Sequence, residues 1–374
     1  MSKKIFGFLM WAFIASWCLG ATAFAADEIK IGLMAPVTGA WASEGQDMVR
    51  VVELLADEIN TAGGIDGVQV SIIVGDDGGT PKEAALAAQK LVTSGVSAVV
   101  GTYGSSVTEA SQDIYDEAGV VQVATGSTSI RLTAKGLKRF FRTCPRDDEQ
   151  GRVLAARVEG LGFKKVAMVH DNTSYSKGLA DEAKDIFEHS NVGVVFFDAI
   201  TPGDRDFNAS LTKIKETNPE VIVFTGYYPE AALLLRQKFD MKWNVPMIGG
   251  DATNNTALVE IAGKEAASGY YFISPPALSD MTTDSAKKFM KTYSDKYGSL
   301  PSSVWSVLAG DAFLVIVEAI KIVGPDSSRI ASYLTNDLDF QGLSGQISFN
   351  EIGDRLGEVY RLYQVDAEGR FLLR

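Results

Sequence analysis

Cysteine and histidine are almost absent from this sequence. Of its 374 residues, only two are cysteine and two are histidine. Once residues 1–25 are removed, Cys144 remains alone, so no disulfide can form within the chain. His170 and His189 offer too few imidazoles for a typical zinc site. We therefore expect a fold stabilised by its core alone, with no bound metal or other cofactor.

Positive charge is also scarce. The formal net charge is −12 at neutral pH, and removal of residues 1–25 takes away Lys3 and Lys4 but no acidic residue, which gives −14. A surface of this sign repels phosphate backbones. We therefore expect no nucleic-acid partner.

The N-terminus has the parts of a secretory signal peptide. Positive Met1–Lys4 precedes an apolar run, IFGFLMWAFIASWCLG, and AFA at residues 23–25 forms a small-x-small cleavage site. The alternative is a membrane anchor, but the run of about 16 apolar residues is shorter than the roughly 20 that a spanning helix needs. Trp17 before Cys18 does not suit lipoprotein processing. We expect cleavage after Ala25 and release of a soluble protein into the periplasm.

Apolar runs then alternate with amphipathic segments, which is typical of parallel sheets covered by helices on both faces. In Gln46–Asn60, for example, the apolar residues share one helical face. The predicted strands are Ile29–Met34, Val68–Val74, Ala98–Val100, Val120–Ala124, Lys165–His170, Val192–Asp198, Val221–Thr225 and Pro246–Ile248.

The alternation occurs in two blocks, residues 27–143 and 146–272, separated by Cys144-Pro145. Ser274-Pro275-Pro276 ends the second block, and proline at both junctions suits a crossover between lobes. The rest predicts helices and then an antiparallel strand pair. These elements are Thr283–Lys296, Val304–Val323, Ser327–Leu334, and the paired strands Gly345–Phe349 and Val359–Asp366. The pattern predicts an α/β fold of two lobes with several crossings, which permits a hinge.

Polar residues and glycines follow the predicted strands, at the position where open parallel sheets bind ligands. The first block offers mainly hydroxyls and glycines, and the second offers tyrosines and a carboxylate. These segments are Gly101–Ser106, Thr125–Ser129, His170–Tyr175, Thr225–Tyr228 and Gly249–Asp251. We expect a cleft with one wall that holds an anionic group, because Ser105 and Ser106 precede a predicted helix whose N-terminal N–H groups favour an anion.

Each of these residues also has a plainer interpretation. Ser105 could serve only as a helix cap. Thr128 and Asp251 could complete turns. Tyr175 and Tyr227 could be packing residues.

In this order behind a signal peptide, the strand ends resemble those of the periplasmic leucine/isoleucine/valine-binding proteins of ABC transporters. The resemblance covers the mature chain and is sharpest in six stretches: DEINTAGGIDG (57–67), DDGGTPKEA (76–84), SS…DIYDEAG (105–119), VHDNTSYSKGLA (169–180), FFDAITPGDRDF (196–207) and GYYPEAALLLRQ (226–237). It implies two Rossmann-like lobes joined by three hinge crossings. Lobe 1 would hold residues 26–144 and 275–350, and lobe 2 residues 145–274 and 351–374.

The resemblance also implies roles for individual residues. Ser105 and Thr128 would hold the α-carboxylate of an amino acid. The Gly126 carbonyl, the Thr128 hydroxyl and Asp251 would hold its α-ammonium. Tyr175 and Tyr227 would close on the ligand from the second lobe, and Trp41, Glu44 and Tyr103 would shape the side-chain pocket. The closed form would dock, as a monomer, on a membrane permease.

Two departures from the family pattern bear on the ligand. Glu44 lies where relatives commonly carry an aromatic residue, and a buried carboxylate is a poor neighbour for leucine unless it is paired. A polar or cationic ligand side chain is therefore an alternative. Asp251 is one methylene shorter than the usual glutamate. Where some relatives carry a disulfide, Gly79 and Gly104 are found instead.

Other functions remain as alternatives. The same fold could bind another small carboxylate, amide or urea-like solute, or report a ligand to a receptor. A secreted hydrolase is disfavoured, because no Gly-x-Ser-x-Gly elbow or His-Glu-x-x-His motif is present and no nucleophile accompanies His170. The expected function is capture of an α-amino acid, leucine, isoleucine or valine above all, without catalysis.

Overall fold

The computed structural model describes residues 28–357 and 360–374. Alternation of buried apolar runs and amphipathic segments produces strands and helices in turn along most of this length. The strands are β1 Ile29–Ala35, β2 Val70–Asp76, β3 Ala98–Val100, β4 Val121–Ala124, β5 Phe140–Arg142, β6 Lys165–His170, β7 Gly193–Ala199, β8 Val221–Phe224, β9 Met247–Gly249, β10 Tyr271–Ser274, β11 Phe340–Gln341, β12 Gln346–Ile347, β13 Arg361–Val365 and β14 Phe371–Leu373.

The helices carry their apolar residues at helical spacing, and several begin at a capping hydroxyl, as α2 does at Thr80. They are α1 Ala42–Thr61, α2 Pro81–Thr93, α3 Ser105–Glu117, α4 Ile130–Ala134, α5 Asp147–Gly160, α6 Ser174–Glu188, α7 Asn208–Glu216, α8 Tyr228–Asp240, α9 Ala257–Ala262, α10 Lys264–Ala267, α11 Asp284–Tyr297, α12 Val304–Val323 and α13 Ser327–Asn336.

The first five strands form one parallel sheet in the order β2-β1-β3-β4-β5. With the helices packed on it, this sheet is the first lobe. Strands β3 and β4 are buried throughout and are direct neighbours. The loops that follow them, which carry the predicted carboxylate-binding residues, therefore lie side by side.

The second sheet, with its helices, is the second lobe and has the order β14-β13-β10-β9-β8-β6-β7. Its strands from β6 to β10 pair in parallel, whereas β13 pairs antiparallel with both β10 and β14. The predicted α/β class with two Rossmann-like lobes is confirmed. The loops after β6, β8 and β9 face the first lobe across a cleft.

The predicted pairing of Gly345–Phe349 with Val359–Asp366 is wrong. Strand β12 pairs with β11, and β13 belongs to the second sheet. The segment after β12 makes a tight turn of its own, in which Phe349 bridges antiparallel to Arg355, and the chain then continues to the second lobe. Its backbone bonds to the first lobe, where Arg142 N donates to the Gly353 carbonyl over 3.0 Å.

Two further crossings between the lobes lie near residues 143–146 and 275–283. In chain order the crossing between β12 and β13 is the third, and a buried ion pair joins it to the first crossing. The Arg142 Nε and Asp354 Oδ1 atoms are 2.6 Å apart, and Arg146 Nη1 reaches Asp354 Oδ2 over 2.7 Å. Arg142 also donates to the carbonyl groups of Ser127 and Ser129 over 3.0 and 2.8 Å. One guanidinium therefore joins the hinge to the loop after β4.

Helix α12 forms the centre of the first lobe and is buried over most of its circumference, which its nearly continuous apolar sequence explains. It packs against α1, with Gly310 lying beside Val51 and Leu55. Among the described residues, no helix combines the length and the apolar content that crossing a membrane requires.

Candidate functional site

The loop after β3 and the first turn of α3 form one side of the cleft. Helix α3 begins at Ser105, and Gly104 precedes it without a capping side chain. Ser105 is fully buried, and its Oγ accepts a hydrogen bond from Ser129 N over 3.2 Å. The capping interpretation of Ser105 is wrong, because its hydroxyl joins the two loops that follow β3 and β4. Its proton remains available to a ligand carboxylate.

Hydrogen bonds between buried hydroxyls hold these two loops together. Thr102 Oγ1 lies 2.7 Å from Thr108 Oγ1, which lies 2.6 Å from Ser127 Oγ. The loop after β4 approaches so closely that a Cβ on Gly126 would lie 2.6 Å from the Tyr103 ring. Glycine at position 126 is therefore required by space.

Thr128 connects this wall to the start of α5. The backbone N–H of Asp147, the first residue of that helix, donates to the Thr128 carbonyl over 3.0 Å. Both side chains are buried, and among the described residues Thr128 Oγ1 and Asp147 Oδ2 have no hydrogen-bond partner beyond their interaction with each other. Buried polar atoms are nearly always paired. Two neighbouring buried polar atoms with no further partner therefore indicate a ligand position.

Asp251 lies in the short 3-10 turn after β9 and completes this group. Its Oδ2 accepts from the Tyr360 hydroxyl over 2.9 Å. The Gln150 side chain links the two acids, since its Oε1 accepts from Asp251 N over 2.8 Å and its Nε2 donates to Asp147 Oδ1 over 3.1 Å.

The surroundings of the Asp147 and Asp251 carboxyls disfavour their ionised forms. Burial raises the pKa of Asp251 to about 7, against hydrogen bonds from Tyr175 and Tyr360 that lower it. Burial and then repulsion by Asp251 raise the pKa of Asp147 well above its ordinary value. Arg142 opposes this rise, but its guanidinium is already paired with Asp354. An added cation would relieve the repulsion, as a ligand ammonium does.

An aromatic wall closes the site. The Trp41 ring lies 4.1 Å from the Tyr227 ring of the second lobe, and Tyr103 lies 5.6 and 5.7 Å from these two. Tyr175 extends the wall, 5.3 Å from Tyr227. Tyr175 and Tyr227 therefore pack against other aromatic rings and line the candidate site at the same time.

The glycines at positions 79 and 104 make room for this wall. A Cβ on Gly79 would lie 2.8 Å from the Trp41 indole, and one on Gly104 would lie 2.7 Å from it. The space in which some relatives would carry a disulfide is therefore filled by tryptophan.

Glu44 lies in the first turn of α1 and is fully buried. Ser303 Oγ lies 2.7 and 2.6 Å from its two carboxyl oxygens, and Asn255 Nδ2 donates to Oε2 over 3.0 Å. Burial raises its pKa to about 8, although both of these bonds lower it. The hydrogen bonds from Ser303 and Asn255 thus lower the cost of burying this carboxyl beside the pocket.

Direct hydrogen bonds join the lobes across the cleft. Ser174 N donates to Ser106 Oγ over 2.8 Å, and the Tyr228 hydroxyl donates to the Ala40 carbonyl over 3.3 Å. Ser106, like Ser105, is therefore not a helix cap. The described arrangement is a closed one.

The structure gathers the predicted residues around one cleft and adds three that sequence reasoning missed: Asp147, Gln150 and Tyr360. His170 is not among them, since its Nδ1 accepts from Asn172 N over 3.2 Å and its ring packs 5.1 Å from Phe197. Within the described ranges, no group of three or more His, Cys, Asp or Glu side chains is arranged to hold a metal ion.

Comparison with known proteins identifies the family. The family model described as "Periplasmic binding protein" matches residues 28–370. The chain belongs to this family. The family's description names the periplasm, and the relatives below are named as binding proteins rather than as enzymes.

Three relatives match over nearly their whole length. The Leu/Ile/Val-binding protein BraC3 of Rhizobium johnstonii is 36% identical over 91% of this chain and 92% of its own. The leucine-, isoleucine-, valine-, threonine- and alanine-binding protein of Pseudomonas aeruginosa is 34% identical over 91% and 90%. The crystal structure of LivJ of Streptococcus pneumoniae with isoleucine has a TM-score of 0.85, at 32% identity over 93% and 99%.

Proposed function

We propose that this chain captures an α-amino acid between its lobes in the periplasm and delivers it to the permease of an ABC importer. The observation that carries the proposal is the buried pair Asp147 and Asp251, which, within the part of the chain that the structure describes, forms no ion pair with a cation and lies beside the Thr128 hydroxyl. An α-ammonium supplies that charge. A plain carboxylate would be repelled there.

The two ends of a zwitterion fit the two walls. Ser105 and the N-terminal N–H groups of α3 bind the α-carboxylate, together with Thr128. The Gly126 carbonyl, the Thr128 hydroxyl and the acid pair bind the α-ammonium. The amino acids named for the relatives support this class, and leucine, isoleucine and valine are the first ligands to test.

The remaining parts of the proposal concern the route of the protein. A signal peptide, residues 1–25, directs export and is cleaved after Ala25; this segment lies outside the described residues. The mature protein acts as a monomer, binds its permease in the closed form and performs no catalysis. Residues 26–144 with 275–350, and 145–274 with 351–374, move as the two lobes.

Thermal unfolding of ligand-stripped mature protein tests the ligand class. The twenty amino acids are compared with carboxylates and amides that lack an α-ammonium, such as benzoate and acetamide. A ligand present at about 100 times its Kd stabilises the folded state by about 2.7 kcal/mol, which is readily measured. Stabilisation by amino acids alone supports the proposal, and stabilisation by benzoate alone overturns it. Recovery of the amino acid unchanged by mass spectrometry tests the absence of catalysis.

A further inference from the structure

The cleft contains a third buried carboxyl at some remove from the acid pair. Asp251 and Asn255 belong to one short segment after β9, and this segment touches Glu44 through Asn255 Nδ2. Tyr103 lies between the two ends. Its hydroxyl donates to the Ala252 carbonyl over 3.4 Å. Burial is the main cause that raises the pKa of Tyr103, the charge of Glu44 is the next largest, and the charge of Asp251 contributes less. Glu44 therefore lies at the far end of the cleft from the ammonium position.

Helix α12 supplies the polar surroundings of Glu44. The Ser303 hydroxyl accepts from Trp305 N over 3.1 Å and carries one proton, which it can give to only one Glu44 oxygen at a time. The Trp305 ring lies 6.2 Å from Tyr103, at the aromatic wall. Among the described residues, the buried Trp305 Nε1 has no hydrogen-bond partner.

An apolar ligand side chain would leave this end of the cleft unsatisfied. It would exclude water from the Trp305 indole, which would keep no partner, and it would leave unused the acceptor positions of Glu44 that the bonds from Ser303, Asn255 and the Ser306 backbone do not occupy. A side chain with a donor group can bond to these remaining acceptor positions of Glu44. One that also accepts can satisfy the indole N–H. Sites built in this way reject analogues that lack the polar group.

We propose that Glu44 is a specificity-determining residue that favours amino acids whose side chains donate a hydrogen bond over aliphatic ones of the same shape. This inference rests on the proposed function and deepens it. Hydroxyl, amide and ammonium groups share the required chemistry.

The test uses matched ligand pairs and isothermal titration calorimetry of the ligand-stripped mature protein. Threonine is compared with valine, asparagine with leucine, and ornithine with norleucine, so that each pair differs in polarity and not in shape. We expect at least one polar member to bind about tenfold more tightly than its aliphatic counterpart, because it satisfies buried polar groups that the aliphatic member leaves without a partner. Ornithine distinguishes a cationic donor from the neutral ones.

Variants then assign the preference to Glu44. Glu44→Leu should reverse the polar-to-aliphatic affinity ratio, and Glu53→Leu, the same change at an exposed position of α1, should leave it unaltered. Glu44→Gln keeps the size of the side chain and an acceptor oxygen, and it provides a folded variant if the leucine variant fails to fold. Glu44→Gln should retain a preference for side chains with neutral donor groups and should lose any preference for ornithine over norleucine.

Three results would overturn the inference. Aliphatic members that bind as tightly as their polar counterparts, or a ratio unchanged by both Glu44 variants, overturn the role of Glu44 alone. Failure of every α-amino acid to bind overturns the proposed function, and this inference with it.

Discussion

Replacing Asp147 with asparagine separates a ligand contact from a structural acid. The substitution keeps the shape of the side chain and the Oδ1 atom that Gln150 contacts, and it removes a carboxyl whose ionisation is opposed by burial and by Asp251. We therefore expect two opposite effects. The ligand-free variant should unfold at a higher temperature than the wild type, and its affinity for an amino acid should fall.

The size of the affinity loss follows from the contacts. A hydrogen bond between charged groups contributes about 1.5–3 kcal/mol, which corresponds to a loss of roughly 10- to 150-fold. Asp251 remains in the variant and still offers a carboxyl to the ammonium. This compensation places the expected loss near the lower limit, about tenfold.

Calorimetric titration and thermal unfolding measure the two effects on the same preparation. Asp148→Asn is the matched control, because Asp148 is the next residue in α5, is exposed and pairs with Arg146. Higher thermal stability with unchanged affinity would show that Asp147 is not a ligand contact. An equal loss of affinity in Asp148→Asn would show that only the overall charge matters, and either result refutes the reasoning.

Three other predictions concern the carboxylate wall, the proton balance and the hinge. Ser105→Ala should weaken amino-acid binding by about tenfold in calorimetry with little change in the unfolding temperature, and an unaltered Kd would remove Ser105 from the site. Affinity should rise between about pH 5.5 and about pH 8, because Asp251 has a raised pKa of about 7 when the site is empty and the bound ammonium favours its ionised form. Titrations near pH 6.5 in buffers of different protonation enthalpy should show proton release on binding, and net proton uptake would contradict this. Arg142→Met should destabilise the protein to urea by about 3 kcal/mol, since it leaves Asp354 buried with Arg146 alone, and a loss below about 1 kcal/mol would disprove that role for the pair.

Local patterns in the sequence predict most of the fold. Strands Ala98–Val100 and Lys165–His170 and helix Val304–Val323 occur with the predicted bounds, because each is a clear apolar run between breakers. Strand Phe140–Arg142 was not predicted, because its two apolar residues lie between arginines and form no clear apolar run. The pairing of Arg361–Val365 is set by contacts with β10, far away in sequence, which no local pattern encodes.

The candidate site was predicted less completely, for a similar reason. Ser105, Thr128 and Asp251 directly follow strands, and sheet geometry identifies such positions in advance. Asp147 instead begins a helix after the first crossing, and the first turns of helices are commonly acidic for reasons unrelated to ligands. Asp147 is buried against the loop after β4, where its N–H bonds to the Thr128 carbonyl, and this contact is between residues 19 positions apart. Tyr360 follows the third crossing and reaches Asp251 only in the folded chain.

The position of the acid pair links ligand charge to closure. Asp147 comes directly after the first crossing and Asp251 lies in the second lobe, while Thr128 covers them from the first lobe. When the lobes separate, water can solvate both carboxyls, and closure removes that water. Closure of an empty cleft therefore carries the free-energy cost of desolvating two carboxyls, whereas a bound ammonium offsets that cost. We therefore expect closure to be favoured by a ligand that brings a positive charge to this point, and a zwitterion to close the lobes more readily than a plain carboxylate of similar size.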